Sequence, residues 1–174
     1  MGTGREVVIS LDGVTDKNIM QLKKINTAIF PVRYNDKYYT DAIASGDFTR
    51  LAYYSDICVG SIACRLEKKE GAVRVYIMTL GVLAPYRGLG TGTKLLNHVL
   101  DLCAKQNVIE IYLHVHTINE EAINFYKKFG FEYIGFFVEG CLLRLSALTK
   151  RKFSNFGLSE VLFSKFLVLN PISC

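Results

Sequence analysis

The segment of this chain whose residue types and spacing most directly suggest chemistry is Arg87-Gly88-Leu89-Gly90-Thr91-Gly92. It follows a long apolar run and opens a helical pattern. Glycine admits positive φ and leaves no side chain to obstruct a ligand. Successive backbone N–H groups in such a turn can converge on one concavity, at the positive end of a helix dipole. A diphosphate fits there, and Arg87 adds a positive charge. The spacing excludes two other phosphate motifs: no Gly-Lys-Ser/Thr follows, and the glycines do not form the dinucleotide fingerprint. Taken alone, the same residues also suit a tight strand-to-helix turn.

The elements that must hold this turn are readable from periodicity. Residues 7–11 read as a first strand. Asp16 is placed as N-cap of a helix through Ile19, Leu22, Ile25 and Ile29, which stops near Phe30 because Pro31 disfavours helical geometry before it. A tyrosine-rich connection carries a short helix over Asp36 to Ala44, and Gly46-Asp47 turns the chain. Leu51 to Tyr54 and Ile57 to Leu66 form a hairpin, Glu67 to Gly71 a charged turn, and Val73 to Leu83 a long strand expected to be buried on both faces. A helix over Gly90 to Ala104 buries Leu95, Leu96, Val99, Leu100 and Cys103. Ile109 to Val115 is a strand, Asn119 to Phe129 a helix with Ala122, Ile123 and Tyr126 inward, and Phe131 to Ile134 begins another strand. Strand, glycine turn, helix and strand make a right-handed crossover, so the two strands around the turn are parallel neighbours.

Bulk properties bound the rest. The 174 residues suffice for one domain with a proper core, and the net charge of +5 suits an anionic ligand without implying nucleic-acid binding. The cluster Lys150-Arg151-Lys152 reads as a solvated face. Five cysteines, none in a CxxC pair, point to a reducing compartment with no disulfide framework and no metal site. No apolar run is long enough to span a bilayer, so a cytoplasmic protein is expected, with nuclear presence compatible.

Two further stretches keep company with the turn: Val82-Leu83-Ala84-Pro85-Tyr86-Arg87 before it, and residues 119–131 after it. Together the three resemble the acetyl-CoA signature of the GNAT superfamily. Residues 30–36, 76–81, 97–100 and 112–115 are similar to a narrower group, the catalytic subunits of NatE, the San-type N-terminal acetyltransferases. The resemblance implies a mixed α/β (α+β) GNAT fold, a central sheet with helices on both faces, over residues 5–145, with the family match running to about 134. Residues 146–174 form a divergent tail.

The resemblance also implies roles. Backbone groups of Leu80 and Val82 bind the pantetheine arm and acetyl group of acetyl-CoA, the cosubstrate. Arg87, Gly88, Leu89, Gly90, Thr91, Gly92 and Thr93 cradle the diphosphate, with Asn119 and Tyr126 across from them. Tyr76 and His114 deprotonate the substrate amine through a water. Phe30, Pro31, Val32 and Tyr34, with Met78, hold the substrate N-terminus. The chemistry needs such groups, because an α-amine of pKa about 7.7–8.0 is largely protonated at neutrality and only its free base attacks a thioester. Tyr126 is placed to protonate the leaving thiolate. His116 shares a face with His114 and receives no role; His98, between apolar helix neighbours, is read as structural. The apolar lining rewards an unbranched apolar side chain and offers little to an acidic one; the resemblance implies substrates that keep the initiator methionine, usually followed by a hydrophobic residue, and some family members also acetylate lysine. The family's partners are NatA complex subunits and the ribosome.

After Ile134 the likeness ends, and no tyrosine occurs beyond Tyr133. The family closes its substrate groove there with a tyrosine-bearing hairpin. Phe136 to Leu145 is expected to supply one replacement strand, Leu158 to Leu169 a strand or short helix, and peptide binding is expected to weaken. An acetyl-CoA-binding but catalytically weak subunit is therefore the alternative to an active N-α-acetyltransferase.

Overall fold

The computed structural model describes residues 8–137 and 142–148. Among them the element order is β1 (Ile9–Gly13), α1 (Ile19–Ile29), α2 (Asp36–Ala44), β2 (Arg50–Tyr54), β3 (Ile57–Lys69), β4 (Ala72–Val82), α3 (Thr91–Lys105), β5 (Glu110–His116), α4 (Glu120–Lys128), β6 (Glu132–Phe137) and β7 (Leu142–Leu148). The strands form one sheet in the order β1-β2-β3-β4-β5-β7-β6. Only β4 and β5 run parallel, as the crossover through α3 requires.

The sheet is covered on both faces. On one, Leu95, Leu96, Val99 and Cys103 of α3 and Tyr126 of α4 pack on Val75, Ile77, Ile111, Leu113 and Val115. On the other, Leu22 of α1 and Tyr38 and Ala42 of α2 pack on Leu51 and Ala63. Cys64 and Cys103 serve as small hydrophobes in the first layer.

Several boundaries differ from the periodicity. Helix α1 starts three residues beyond Asp16. Asn18 occupies the N-cap position but makes no side-chain cap. Its carboxamide instead accepts from the Thr15 N–H at 2.7 Å and donates to the Gly13 carbonyl at 2.8 Å, tying the turn after β1. The charged run 67–69 is strand, not turn: Glu67 and Lys69 pair with Arg74 and Ala72, and the reversal is confined to Glu70 and Gly71, both at positive φ. Strand β4 is not buried on both faces, since Val75, Ile77 and Thr79 alternate with half-exposed neighbours.

The largest correction concerns the end of the sheet. The strand begun near Phe131 runs on to Phe137, and the replacement strand expected over Phe136 to Leu145 lies instead at Leu142–Leu148. Strand β7 inserts antiparallel between β5 and β6, pairing Glu110 through His116 with Leu148 through Leu142. The alternation in Leu142-Leu143-Arg144-Leu145 explains the fit, because Leu145 reaches the α3 core while Arg144 takes the opposite face. The sheet thus continues to Leu148, past residue 145. The segment from Leu158 to Leu169 lies outside the described residues.

Candidate functional site

The site begins where two parallel strands part. Strands β4 and β5 stay in register only through Tyr76↔Tyr112, yet β4 continues to Val82 and β5 to His116. The register of β4 against β3 shifts at the same place: Cys64 faces Ile77, Ala63 faces Thr79, and Met78 is the unpaired extra residue of a bulge. Bulges bend a strand and re-aim its side chains.

The ladder beyond the bulge has a defined phase. Leu83 N–H donates to the Val59 carbonyl at 2.8 Å. Gly60↔Val82 and Ile62↔Leu80 are therefore non-hydrogen-bonded pairs of the β3–β4 ladder. The backbone N–H and C=O groups of Leu80 and Val82 turn away from β3, to the edge that β5 has left. The Val82 carbonyl accepts there from Arg87 Nε at 3.0 Å, which ties the turn to the strand end. That contact occupies one N–H of the Arg87 fork and leaves its terminal nitrogens for a ligand.

Beyond this edge, Gly88 (φ +78°) and Gly90 (φ +80°) adopt the left-handed region, and Gly90 is the N-cap of α3. A Cβ built on either meets nothing within 4 Å, so both line open space. At Gly92 a Cβ would approach Phe125 of α4 at 3.6 Å. The turn, the free edge of β4 and α4 thus border one concavity with backbone donors at a helix N-terminus, which suits a diphosphate and the arm attached to it. Leu89 and Thr93 are exposed. Thr91 differs from expectation: the residue is buried, only 2% exposed.

Across the concavity, Asn119 Oδ1 accepts from Ala122 N–H at 3.1 Å and caps α4. Tyr126 is buried between Phe125 and Phe131, and burial pushes its phenol pKa upward. That phenol stays protonated, a donor rather than a base.

Tyr76 and His114 meet in the fork of the splay. The Tyr76 hydroxyl lies 3.1 Å from His114 Nδ1, a direct hydrogen bond. The register explains it: Tyr112 sits opposite Tyr76, and His114, two residues on and on the same face, turns its ring back to the phenol. Burial lowers the His114 pKa, the Arg144 and Arg65 guanidinium groups lower it further, and Glu67 opposes them. The imidazole is the free base at neutral pH. Burial raises the Tyr76 phenol.

A charged aromatic layer surrounds this pair. The Arg65 guanidinium lies 4.8 Å over the Tyr76 ring and pairs with Glu67 at 2.8 Å. The Tyr112 hydroxyl donates to the Glu67 carboxylate at 2.7 Å. The Arg144 guanidinium lies 4.3 Å over Tyr112 and 3.2 Å from Glu110. Sequence reasoning passed over these residues. The period-2 spacing of Arg65/Glu67 and Tyr112/His114 was the available signal.

Of the substrate-loop candidates, Phe30 and Tyr34 lie beside the fork. Phe30 follows α1 and lies over Gly81, where a Cβ would stand 2.9 Å from its Cζ. Tyr34 contacts Phe30 edge-on at 6.1 Å and stacks on Tyr38 at 4.3 Å. The Tyr34 phenol is pushed up to about 12 by burial, with Tyr39 and Tyr76 adding to the effect. Tyr38 bonds Thr79 Oγ1 at 2.5 Å and accepts from Asn26 Nδ2 at 3.1 Å, so α1, α2 and β4 are pinned at one hydroxyl. Met78 packs at the rim of that layer, while Pro31 and Val32 are exposed. His98 is half-buried beside Arg50 and the Asp47 carbonyl, a structural position. His116 is exposed on β5.

The profile of the acetyltransferase (GNAT) family matches residues 19–131. N-alpha-acetyltransferase 50 of Danio rerio is 56% identical over 127 residues, 72% of this chain and 76% of that one. The probable N-acetyltransferase san of Drosophila melanogaster is 52% identical over 127 residues, 72% of this chain and 69% of that one. Among solved structures, Arabidopsis thaliana Naa50 in complex with the bisubstrate analogue CoA-Ac-MVNAL superposes with a TM-score of 0.77 at 67% identity, covering 81% of this chain and 99% of that one.

Proposed function

This chain belongs to the GNAT acetyltransferase family, and from that premise we propose that it is an N-α-acetyltransferase moving acetyl from acetyl-CoA to the α-amine of peptides that begin with methionine followed by a hydrophobic residue. The observation that carries the reading is the splay of β4 from β5. It sets a free backbone edge, a helix N-terminal turn and a Tyr76–His114 pair around one opening. The peptide portion of the analogue bound to the Arabidopsis relative, MVNAL, begins with methionine and supports the substrate class.

Acetyl-CoA supplies an acetyl group activated as a thioester. The backbone of Gly88 to Thr93 and the Arg87 guanidinium hold its diphosphate, and the open space at Gly88 and Gly90 fits that group. The outward N–H groups of Leu80 and Val82 hold the arm. Phe30, Pro31, Val32, Tyr34 and Met78 orient the peptide end in an apolar setting. His114 takes the proton from the α-amine. The Tyr76 phenol donates to Nδ1 in one tautomer and accepts from Nδ1–H in the other; in the second, the basic lone pair is on Nε2. Tyr126, neutral and buried, returns a proton to the departing sulfur. Asn119 fixes the start of α4 beside it. Action in the cytoplasm and nucleus, with NatA subunits at the ribosome, belongs to the same proposal and rests on the family likeness.

The test is mass spectrometry of Met-Leu and Lys-bearing peptides incubated with the protein and acetyl-CoA. Acetyl on the α-amine, lost in His114→Gln, supports the reading; acetyl on lysine alone replaces it. A second reading, an acetyl-CoA-binding but weakly active subunit, is favoured by the lack of any tyrosine after Tyr133. It predicts a rise in Tm with acetyl-CoA and negligible peptide turnover.

A further inference from the structure

Strand β7 borders the fork directly. Its register places Arg144 opposite His114. Directly opposed residues of an antiparallel pair share a face, with Cβ atoms about 4.5–5.5 Å apart. Two contacts hold the guanidinium there, and a third holds the carboxylate it meets. The guanidinium lies over the Tyr112 ring at 4.3 Å, it approaches Glu110 Oε1 at 3.2 Å, and the same carboxylate oxygen accepts from Ser146 Oγ at 2.7 Å. Arg74 approaches the other Glu110 oxygen at 3.3 Å. The Arg144 head is therefore a stationary charge on the wall of the site.

We propose that Arg144 is a positioning residue for the acetyl transfer: it holds a fixed positive charge beside His114 and so favours the free-base imidazole that accepts the substrate's proton. The inference rests on the proposed role of His114. The guanidinium touches neither the amine nor the acetyl donor; it acts through the imidazole.

The other groups around His114 are Arg65 and Glu67 on β3, Arg74 and Tyr76 on β4, Glu110, Tyr112 and His116 on β5, Tyr34 from the loop before α2, and, two strands away, Glu132 on β6. Three carboxylate–guanidinium pairings lie in this layer. Arg65 is compensated by Glu67, and Glu110 is shared between Arg74 and Arg144. Arg74 and Arg144 share the Glu110 carboxylate, and of the two it is Arg144 whose register places it opposite His114. This agrees with the burial-lowered His114 titration, where Arg144 is the foremost charge contribution. Lys at 144 would keep the charge and lose the planar fork; Gln would keep much of the bulk and lose the charge.

The experiment is an NMR pH titration of the histidine ring protons in the full chain, with His114→Gln identifying the His114 signal. It is run beside the pH profile of kcat/KM for a Met-Leu peptide. Arg144→Gln is expected to raise the His114 midpoint by roughly 0.5–1 pH unit, the size of a unit charge about 6 Å away in a medium of ε about 40–80. The acidic limb of kcat/KM moves up by the same amount, while Arg144→Lys stays near the parent. Glu110→Gln removes an opposing charge and moves the midpoint down, and it supplies the answer where Arg144→Gln does not fold. A midpoint unmoved by Arg144→Gln, or unmoved by Glu110→Gln where that variant is the one that folds, overturns the proposal. So does a Lys variant that shifts as far as Gln. The NMR arm reads the coupling with or without turnover: if the midpoint moves while the kcat/KM limb does not, it is the assignment of His114 as the base that fails.

Discussion

Gly81→Ala separates the two halves of this site. A Cβ at Gly81 would stand 2.9 Å from Phe30 Cζ and 3.0 and 3.2 Å from Ile29 Cγ2 and Cδ1. Ordinary contact begins near 3.4 Å, so the Phe30 ring and the Ile29 side chain must retreat by about half an ångström. Overpacking of this kind costs about 1–3 kcal/mol, which in a domain of this size lowers Tm by roughly 2–12 °C. The retreat moves Phe30, and with it Tyr34, off the strand that forms the other wall of the peptide opening. A misplacement approaching 1 Å costs up to about 100-fold in catalytic efficiency. The kcat/KM for a Met-Leu peptide should therefore fall about 10–100-fold. The acetyl-CoA KM should hold within about twofold, because the ladder phase directs Gly81's backbone groups to Ser61 and leaves the donor edge at Leu80 and Val82. Steady-state kinetics against each substrate, with a thermal melt, reads all three quantities. Adding Phe30→Leu should recover part of the lost stability, a coupling of about 0.5–3 kcal/mol. If Tm and peptide kcat/KM both match the parent, the claim that Phe30 is seated on Gly81 is wrong.

Tyr76→Phe and His114→Gln should each lower kcat by about 10²–10⁴-fold with little change in acetyl-CoA affinity, and the double variant should lose much less than the product, since the two groups act as one hydrogen-bonded unit. Single-turnover assays and calorimetric acetyl-CoA titration check this. Gly90→Ala meets no steric neighbour, so its cost is the left-handed backbone at φ +80°, about 1–2 kcal/mol. Its Cβ also enters the concavity, so acetyl-CoA KM should rise while peptide KM stays constant. His114 has a folded pKa below its unfolded value near 6.5, so its contribution to stability is present above about pH 6.5 and lost as pH falls through the folded value. The Tm drop from pH 7.5 to 5.5 should therefore be smaller in His114→Gln than in the parent, measured by scanning calorimetry at both pH values.

The sequence made the frame legible because its signals were local. The Phe30-Pro31 stop ends α1 at Ile29, the α2 limits match residue for residue, and the glycine turn opens α3 as its spacing implied. Local signals failed where a tertiary partner decided the outcome. Asp16 offered a good cap, but Asn18 is held by Gly13 and Thr15, and the helix starts after it. Glu67 looked like turn chemistry, yet it is a strand residue whose carboxylate is occupied by Arg65 and the Tyr112 hydroxyl. The direct Tyr76–His114 bond depended on how far the parallel register runs, which no single strand encodes. Nothing in the spacing of Tyr38 and Thr79 pointed to their contact, 41 positions apart. Strand β7 was undervalued because family likeness ends before it, although its own alternation was sufficient to build a paired strand.

One irregularity accounts for most of the site. On a regular strand Tyr76, Met78 and Leu80 would share a face, and Thr79 and Gly81 would face α3. The extra residue at Met78 reverses the alternation, so Thr79 meets Tyr38 and Gly81 meets Phe30 on the α1–α2 side. The same shift sets the ladder phase that turns the N–H groups of Leu80 and Val82 outward, at the height where β5 has already left. A regular β4 would have spent those groups on β3 and placed Gly81 away from the substrate loop. The donor edge and the peptide wall therefore have one structural cause. A substitution that removes the bulge should damage acetyl-CoA binding and peptide binding together, whereas Gly81→Ala and Gly90→Ala each damage one.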